Sequence, residues 1–157
     1  MPYSDLLRKG RIRPLLLTPE ERARRIGELL SVAERELQDA GLYGRSADGQ
    51  HNSAYAAARA VAEAIMTAEG YRRGSGEGQH AIIFEFLRLV DDGRFATEAD
   101  YFDHARRVRN ETEYERAGVV SYSLAEATAK AAQEFMDEVR AWLQESDEGT
   151  KTEGTEE

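Results

Sequence analysis

Three helix-capping sequences, each followed by apolar residues at helical spacing, limit this chain to an all-α fold. Thr18-Pro19-Glu20-Glu21 is a capping box with proline at the first helical position, and it predicts a helix that ends at Gly41. Thr97-Glu98-Ala99-Asp100 predicts the start of a helix that ends near Arg116 or Ala117. Ser123-Leu124-Ala125-Glu126 predicts the start of the last helix. We therefore expect an up-and-down bundle of four to five helices.

Apolar periodicity predicts two more helices in the middle of the chain. The first runs from about Asn52 to Glu69 and is rich in alanine, and the second runs from about Gln79 to Asp91 with the most apolar face in the sequence. Residues 70–78 between them hold four glycines, which predicts a mobile loop. No strand precedes this loop and no Gly-Lys-Ser/Thr follows it, so it is not a phosphate-binding loop of the usual kind. The only β-like fragment is Val119-Val120.

The length of 157 residues suits one domain with a single core. We divide it into a basic N-terminal segment (1–17), a helical bundle (18–144) and an acidic tail (145–157), which we expect to be disordered or to be a fraying helix end. The tail carries six acids and one lysine, so the formal charge of -9 leaves only -4 on the rest of the chain. A mildly acidic body excludes a broad basic face for duplex nucleic acid but permits a small basic cleft.

The chain contains no cysteine, which excludes a disulfide framework, a thiol nucleophile and a thiolate metal site, and favours a cytoplasmic protein. No apolar run is long enough to cross a membrane, and the basic N-terminus lacks the apolar core of a signal peptide. The three histidines are far apart in sequence and show no metal-binding spacing, so we predict no metal site and no cofactor.

Residues 104–114 are the segment whose side chains most resemble a binding or catalytic site. Arg109 follows the apolar stripe of its helix and needs a counter-charge, either from a salt bridge that fixes packing or from a bound phosphate. Asn110 is either a local hydrogen bonder at the helix end or a group that orients a ligand. Tyr114 is either a core tyrosine or a donor and stacking group at the site. On a straight helix, Arg109 and Tyr114 lie on different faces, so they meet only if the helix bends or ends near Thr112.

Three neighbouring side chains complete this candidate site. Arg106 and Arg107 add positive charge for ligand binding, while Glu111 and Glu113 weaken the local field. His104 is either a surface or capping histidine or a ligand-binding group that moves a proton.

The order of these features resembles the HEPN superfamily (higher eukaryotes and prokaryotes nucleotide-binding domain) over residues 18–144. The resemblance is carried by the long first helix, by Asn52-Ser53-Ala54-Tyr55, by Gly70-Tyr71, by His80 opening an apolar helix, and by Arg109-Asn110 before an aromatic residue. The family signature is an arginine and a polar residue followed by a histidine, and it implies a metal-independent ribonuclease. Here Tyr114 takes the place of that histidine, and its reference pKa of about 10 makes it a poor general base at neutral pH.

This resemblance implies a homodimer whose shared cleft binds RNA or nucleotide phosphate, with ribonuclease activity as the toxin of a toxin–antitoxin pair. The partner would then be an antitoxin of the nucleotidyltransferase type, and Tyr114 could itself be the target of modification. In that reading Arg109 holds phosphate, Asn110 orients it and Tyr114 donates a hydrogen bond or stacks on a base. The alternative is a non-catalytic helical dimer or interaction module in which the same residues pack the interface.

Overall fold

The computed structural model describes residues 1–75, 78–114 and 120–155, with the backbone alone described at 79, 111–114 and 147–155. It confirms the predicted all-α helical bundle. In chain order its elements are α1 (Ser4–Arg8), β1 (Ile12–Pro14), α2 (Pro19–Ala40), α3 (Ala47–Ala68), β2 (Tyr71–Arg73), α4 (Gln79–Leu87), α5 (Ala96–Tyr114) and α6 (Tyr122–Thr155), with a short 3-10 helix at Val90–Gly93 between α4 and α5.

The alanine-rich helix α3 lies at the centre of the bundle and packs against α2, α4, α5 and α6. Its small side chains allow these neighbours to approach closely. Tyr55, Val61 and Ile65, which the sequence places on one stripe, are all fully buried. The apolar face of α4 is buried against the same core, as predicted. Helix α3 is therefore the element around which these four helices pack.

The capping prediction is right for α2, the capping predictions for α5 and α6 are wrong in detail, and α3 starts earlier than its apolar pattern predicts. Thr18 and Glu21 make both hydrogen bonds of the predicted capping box, each 3.1 Å long. Helix α3 starts at Ala47 instead of Asn52, because Ser46 accepts a hydrogen bond from the Gly49 amide and caps it earlier. Helix α5 starts at Ala96, so Thr97 lies inside it. Helix α6 starts at Tyr122, where the Ser121 hydroxyl accepts from the Leu124 amide.

A two-stranded antiparallel ribbon replaces part of the loop predicted over residues 70–78. Strand β1 pairs with β2 in the register Ile12 with Arg73, Arg13 with Arg72 and Pro14 with Tyr71. The expectation that the chain has no strand outside Val119-Val120 was therefore wrong, and Val119 itself lies outside the described residues. At the end of the ribbon the Gly74 amide donates to the Arg11 carbonyl at 2.7 Å, and a Cβ on Gly74 would lie 2.1 Å from the Gly10 carbonyl oxygen.

The basic N-terminal segment packs onto the bundle through its few apolar residues. Tyr3, Leu6 and Ile12 are buried in the common core, and the Tyr3 ring stacks on Phe86 of α4 with centroids 4.4 Å apart. On the surface of the segment, Arg11 forms a two-point ion pair with Glu85 of α4, with distances of 2.8 and 2.9 Å. These contacts hold β1 in place beside β2.

Helix α4 ends at Leu87 instead of the predicted Asp91, and α6 continues beyond residue 144, the predicted end of the bundle. Asp91 and Asp92 have φ values of 48° and 53°, a left-handed conformation that aspartate tolerates better than most residues. The Asp91 carboxylate accepts a hydrogen bond from the Trp142 indole at 3.2 Å, which ties this turn to α6. Helix α6 continues to Thr155 and so includes most of the acidic tail. The division of the chain into a bundle and a tail stays a prediction.

Candidate functional site

Helices α3, α4 and α5 bring a group of basic side chains together on one side of the bundle. We call this site the arginine cleft and define it by Tyr55 and Arg59 of α3, His80 of α4, and Arg106 and Arg109 of α5. Arg59 is the only charged residue of α3 between Asp48 and Glu63, in the middle of the alanine-rich stretch.

Arg109 lies on the face of α5 that packs against α3, as its spacing from the apolar stripe predicts. The same face carries Phe102 and Ala105, which are both buried. The guanidinium carbon of Arg109 is 5.5 Å from the centroid of the Tyr55 ring, a cation–π distance. Arg109 therefore reaches the centre of the bundle from α5.

His80 contacts Arg59 across the junction of α3 and α4. The Arg59 Nη1 atom is 3.3 Å from His80 Nδ1 and 3.5 Å from Nε2. Because a guanidinium can only donate, the ring nitrogen that meets it must be unprotonated. Burial lowers the pKa of His80 below its ordinary value, and the charges of Arg59, Arg73, Arg109 and Arg106 lower this pKa further. The imidazole is therefore held neutral, with one ring nitrogen accepting from Arg59 and the other carrying the proton.

The acidic residues near the cleft do not neutralise Arg59. Arg73 is paired with Glu63 at 2.8 Å, and Arg106 is paired with Asp103 at 3.0 Å. Within the described part of the chain, Arg59 makes no ion pair, and its polar contact is the neutral imidazole of His80. The cleft thus carries excess positive charge at a half-buried position, which favours an anionic ligand.

Three buried polar atoms on α3 also lack regular hydrogen-bond partners among the described residues. They are the Tyr55 hydroxyl, the Asn52 Oδ1 atom and the His51 Nδ1 atom. Tyr55 is fully buried, and burial raises the pKa of its hydroxyl, which stays protonated as a donor. Each unsatisfied buried group costs about 1–3 kcal/mol, and such groups often mark a ligand site.

His51 is the most buried histidine and lies one turn before Tyr55 on α3. Its side chain is 1% exposed, and burial lowers its pKa, while the nearby Asn52 and Asp48 oppose that shift. Asn52 therefore favours the protonated form of the imidazole, although the buried His51 Nδ1 and Asn52 Oδ1 atoms form no hydrogen bond of regular geometry.

The structure brings together only some of the residues that the sequence singled out. Arg109 and Arg106 lie at the cleft, whereas His104, Arg107 and Asn110 are exposed on other faces of α5. The Arg107 side chain is 62% exposed and lies 3.8 Å from Asp103. Tyr114 is the last residue of α5, and its side chain lies outside the described residues.

Sequence reasoning did not assign a role to Arg59, Tyr55 or His80. The one signal that could have found Arg59 is a single cation within a run of alanines, where a buried helix otherwise has no charged side chain.

Comparisons of the chain with known protein families, with curated proteins and with solved structures find no match. Fold and site define an all-α bundle with a cationic cleft between three helices. Among the described helices, none is long and apolar enough to cross a membrane. In the same residues, no three acidic or histidine side chains are grouped closely enough to hold a metal ion.

Proposed function

We propose that this protein is a HEPN-like domain that binds the phosphate groups of RNA or a nucleotide in the arginine cleft. The observation that carries the proposal is the excess positive charge at Arg59, which lies beside a neutral histidine and close to the unsatisfied Tyr55 hydroxyl. Phosphate offers acceptor oxygens for guanidinium and hydroxyl donors at once. The family resemblance of the sequence agrees with this choice of ligand.

The test is binding of a labelled single-stranded RNA and of a mononucleotide to Arg59→Gln. We expect the variant to lose roughly tenfold or more in affinity, because a charge-assisted hydrogen bond contributes about 1.5–3 kcal/mol. Arg35→Gln is the matched control, since Arg35 is an exposed arginine of α2 and its loss changes the net charge equally. Equal affinity of the two variants would contradict the proposal.

A third variant separates the cleft from the surface that the sequence predicted. Arg107→Gln removes an exposed cation of α5 and leaves the cleft intact. If this change weakens binding and Arg59→Gln does not, the ligand binds on the outer face of α5 with Asn110, and the cleft assignment is wrong.

Metal-independent ribonuclease activity is a second candidate, and the neutral His80 favours it. When Arg59 turns from His80 to a bound phosphate, the freed nitrogen of the neutral imidazole can accept the proton of a ribose 2'-hydroxyl while the guanidinium groups stabilise the phosphate. His80 would then supply the general base that Tyr114 cannot. We expect cleavage of labelled RNA in EDTA by the wild-type protein and its loss in His80→Asn, with Tyr114→Phe retaining activity. If the wild-type protein binds RNA without cutting it, the function is binding alone.

The remaining parts of the proposal come from the resemblance. They are a homodimer whose two α5 helices meet at a shared cleft, a cytoplasmic location and an antitoxin partner of the nucleotidyltransferase type. The competing reading is a non-catalytic interaction module, and it predicts that Arg59→Gln changes oligomeric state or stability without changing RNA binding. Light scattering on the variant beside the binding assay distinguishes the two.

A further inference from the structure

A second basic surface lies beside the two-stranded ribbon, one helical turn along α3 from the arginine cleft. We call it the ribbon groove. It has a volume of about 350 Å³, and its polar and aromatic lining includes Arg13, Arg25, Glu63, Tyr71, Arg72 and Arg73. Four arginines therefore face one glutamate in a protein whose overall charge is strongly negative.

The register of the ribbon places two of these arginines directly opposite each other. Arg13 of β1 is the partner of Arg72 of β2, and both side chains are exposed. Like charges at directly opposed positions destabilise a pair of strands. Arg13 donates a hydrogen bond to the neutral Ser75 hydroxyl at 3.1 Å, which does not offset the repulsion. An anion between the two guanidinium groups would relieve it.

The groove and the cleft are joined through Arg73. This side chain lines the groove, pairs with Glu63 at 2.8 Å and contributes to the lowered pKa of His80 in the cleft. Glu63 and Arg59 are four residues apart on α3, so they lie one turn from each other on the same side of the helix. The two sites are therefore neighbours along α3, with the Arg73–Glu63 ion pair between them.

Tyr71 gives the groove an aromatic surface as well as charge. Its ring packs against Tyr3 with centroids 5.2 Å apart and remains half-exposed. Single-stranded nucleic acids bind where basic residues follow the backbone and aromatic rings stack on bases.

The larger cavity between α2 and α6, of about 920 Å³, lacks this charge. Its two arginines, Arg22 and Arg94, face three acids, Glu69, Asp91 and Glu145.

We propose that the ribbon groove is a second phosphate-binding subsite, so that a single-stranded RNA spans the groove and the arginine cleft. This inference rests on the proposed function and specifies its ligand as an oligonucleotide chain. In this arrangement one end of the RNA binds in the cleft at Arg59, and the phosphates that follow contact Arg72 and Arg13.

The experiment compares two double variants of the whole protein. Arg13→Gln with Arg72→Gln removes the opposed pair, and Arg24→Gln with Arg35→Gln removes two exposed arginines of α2 that do not line the groove. Each protein is titrated with a single-stranded RNA of about ten nucleotides and with a mononucleotide, over a range of salt concentrations. Thermal unfolding of both variants verifies that they are folded.

We expect the ribbon variant to bind the oligonucleotide roughly tenfold or more weakly and the mononucleotide as tightly as the wild-type protein does. Its salt dependence should be lower by about 1.4 in the slope of log affinity against log salt, since each lost phosphate contact on a single strand contributes about 0.7. The α2 variant should keep most of the oligonucleotide affinity.

Three other results would overturn the inference, and they differ from a failure of the proposed function. Equal oligonucleotide binding by the two double variants would exclude the groove. A matching loss of mononucleotide binding in the ribbon variant would mean that the groove is not a separate subsite. If inorganic polyphosphate binds as tightly as RNA of the same charge, the site is not specific for an oligonucleotide. If the wild-type protein binds neither RNA nor mononucleotide, the proposed function itself is wrong.

Discussion

Arg59 is the side chain on which the chemistry of the cleft depends. A half-buried guanidinium normally forms an ion pair, because burial removes part of its hydration. Here its described polar contact is His80, and the same arrangement keeps that imidazole neutral. A bound phosphate would pair with Arg59 and would also reduce the field that lowers the pKa of His80. Ligand binding and the protonation of this histidine are therefore linked at the level of two side chains.

Tyr55 and Arg109 form the second contact of the cleft, between α3 and α5. The ring of Tyr55 lies beneath the guanidinium, and a contact of this kind contributes about 0.5–1 kcal/mol at exposed sites and more where it is desolvated. Its hydroxyl is buried without a regular partner, so the ring serves packing while the hydroxyl remains an unsatisfied donor. The two alternatives that the sequence leaves open for Arg109, packing and ligand binding, are thus compatible in one geometry.

At the scale of elements, the ribbon depends on the absence of a side chain at Gly74. A Cβ there would lie 2.1 Å from the Gly10 carbonyl oxygen and 3.0 Å from that of Arg11, so backbone atoms would have to move. We expect Gly74→Ala to destabilise the protein by about 1–3 kcal/mol, a usual cost of overpacking. Gly27→Ala is the matched control, because nothing lies within 4 Å of its Cβ position, and alanine in a helix interior should stabilise α2 by about 0.5–1 kcal/mol. Urea denaturation measures both, and a stable Gly74→Ala would show that the ribbon is not closely packed.

Helices were predictable where a local signal specifies them, and the ribbon was not. The capping box at Thr18 and the apolar face of α4 involve residues within a turn or two of each other. Strands β1 and β2 have three residues each and come from opposite sides of α2 and α3, so no periodic pattern could reveal them. The end of α4 was missed for a related reason, since the left-handed turn at Asp91 depends on a contact with Trp142 of α6.

The candidate site could be predicted only in the part that lies on one helix. Helical spacing correctly placed Arg109 beside the apolar stripe of α5 and Asn110 on a different face. Arg59 and His80 meet because α3 and α4 pack together, and no residue near either of them in the sequence indicates this contact. Sequence patterns describe single elements well, whereas this cleft is formed by three of them.

At the scale of the whole molecule, charge is segregated despite the net value of -9. The cleft and the ribbon groove carry most of the arginines discussed above, while six acids lie in residues 145–157 at the other end of the chain. An acidic protein with two neighbouring groups of arginines can attract a nucleic acid strand to these sites and repel it elsewhere. The same segregation makes binding strongly dependent on salt.

The buried histidines should also make the stability of the whole fold depend on pH. Burial lowers the pKa of both His51 and His80 in the folded protein. At pH values between these lowered pKa values and the unfolded value of about 6.5, the unfolded chain therefore binds more protons than the folded chain does. The free energy of unfolding should therefore fall as the pH is lowered through about 6.5. Glu69 and Glu138 are partly buried, and their raised pKa values act in the opposite direction at more acidic pH.

His51→Gln tests this dependence, because it removes the most buried of the titrating groups. Urea denaturation at pH values on either side of about 6.5 should show a smaller loss of stability on acidification in this variant than in the wild-type protein, whatever its stability at neutral pH. His104→Gln is the control, since it removes an exposed histidine whose charge is the smallest of the causes that act on the pKa of His51, so most of the pH dependence should remain. If His51→Gln loses as much stability on acidification as the wild-type protein does, the imidazole of His51 takes up its proton within the folded state and its burial has no effect on folding. Such a result would mean that Asp48 and Asn52 stabilise the charged ring about as strongly as its burial destabilises it.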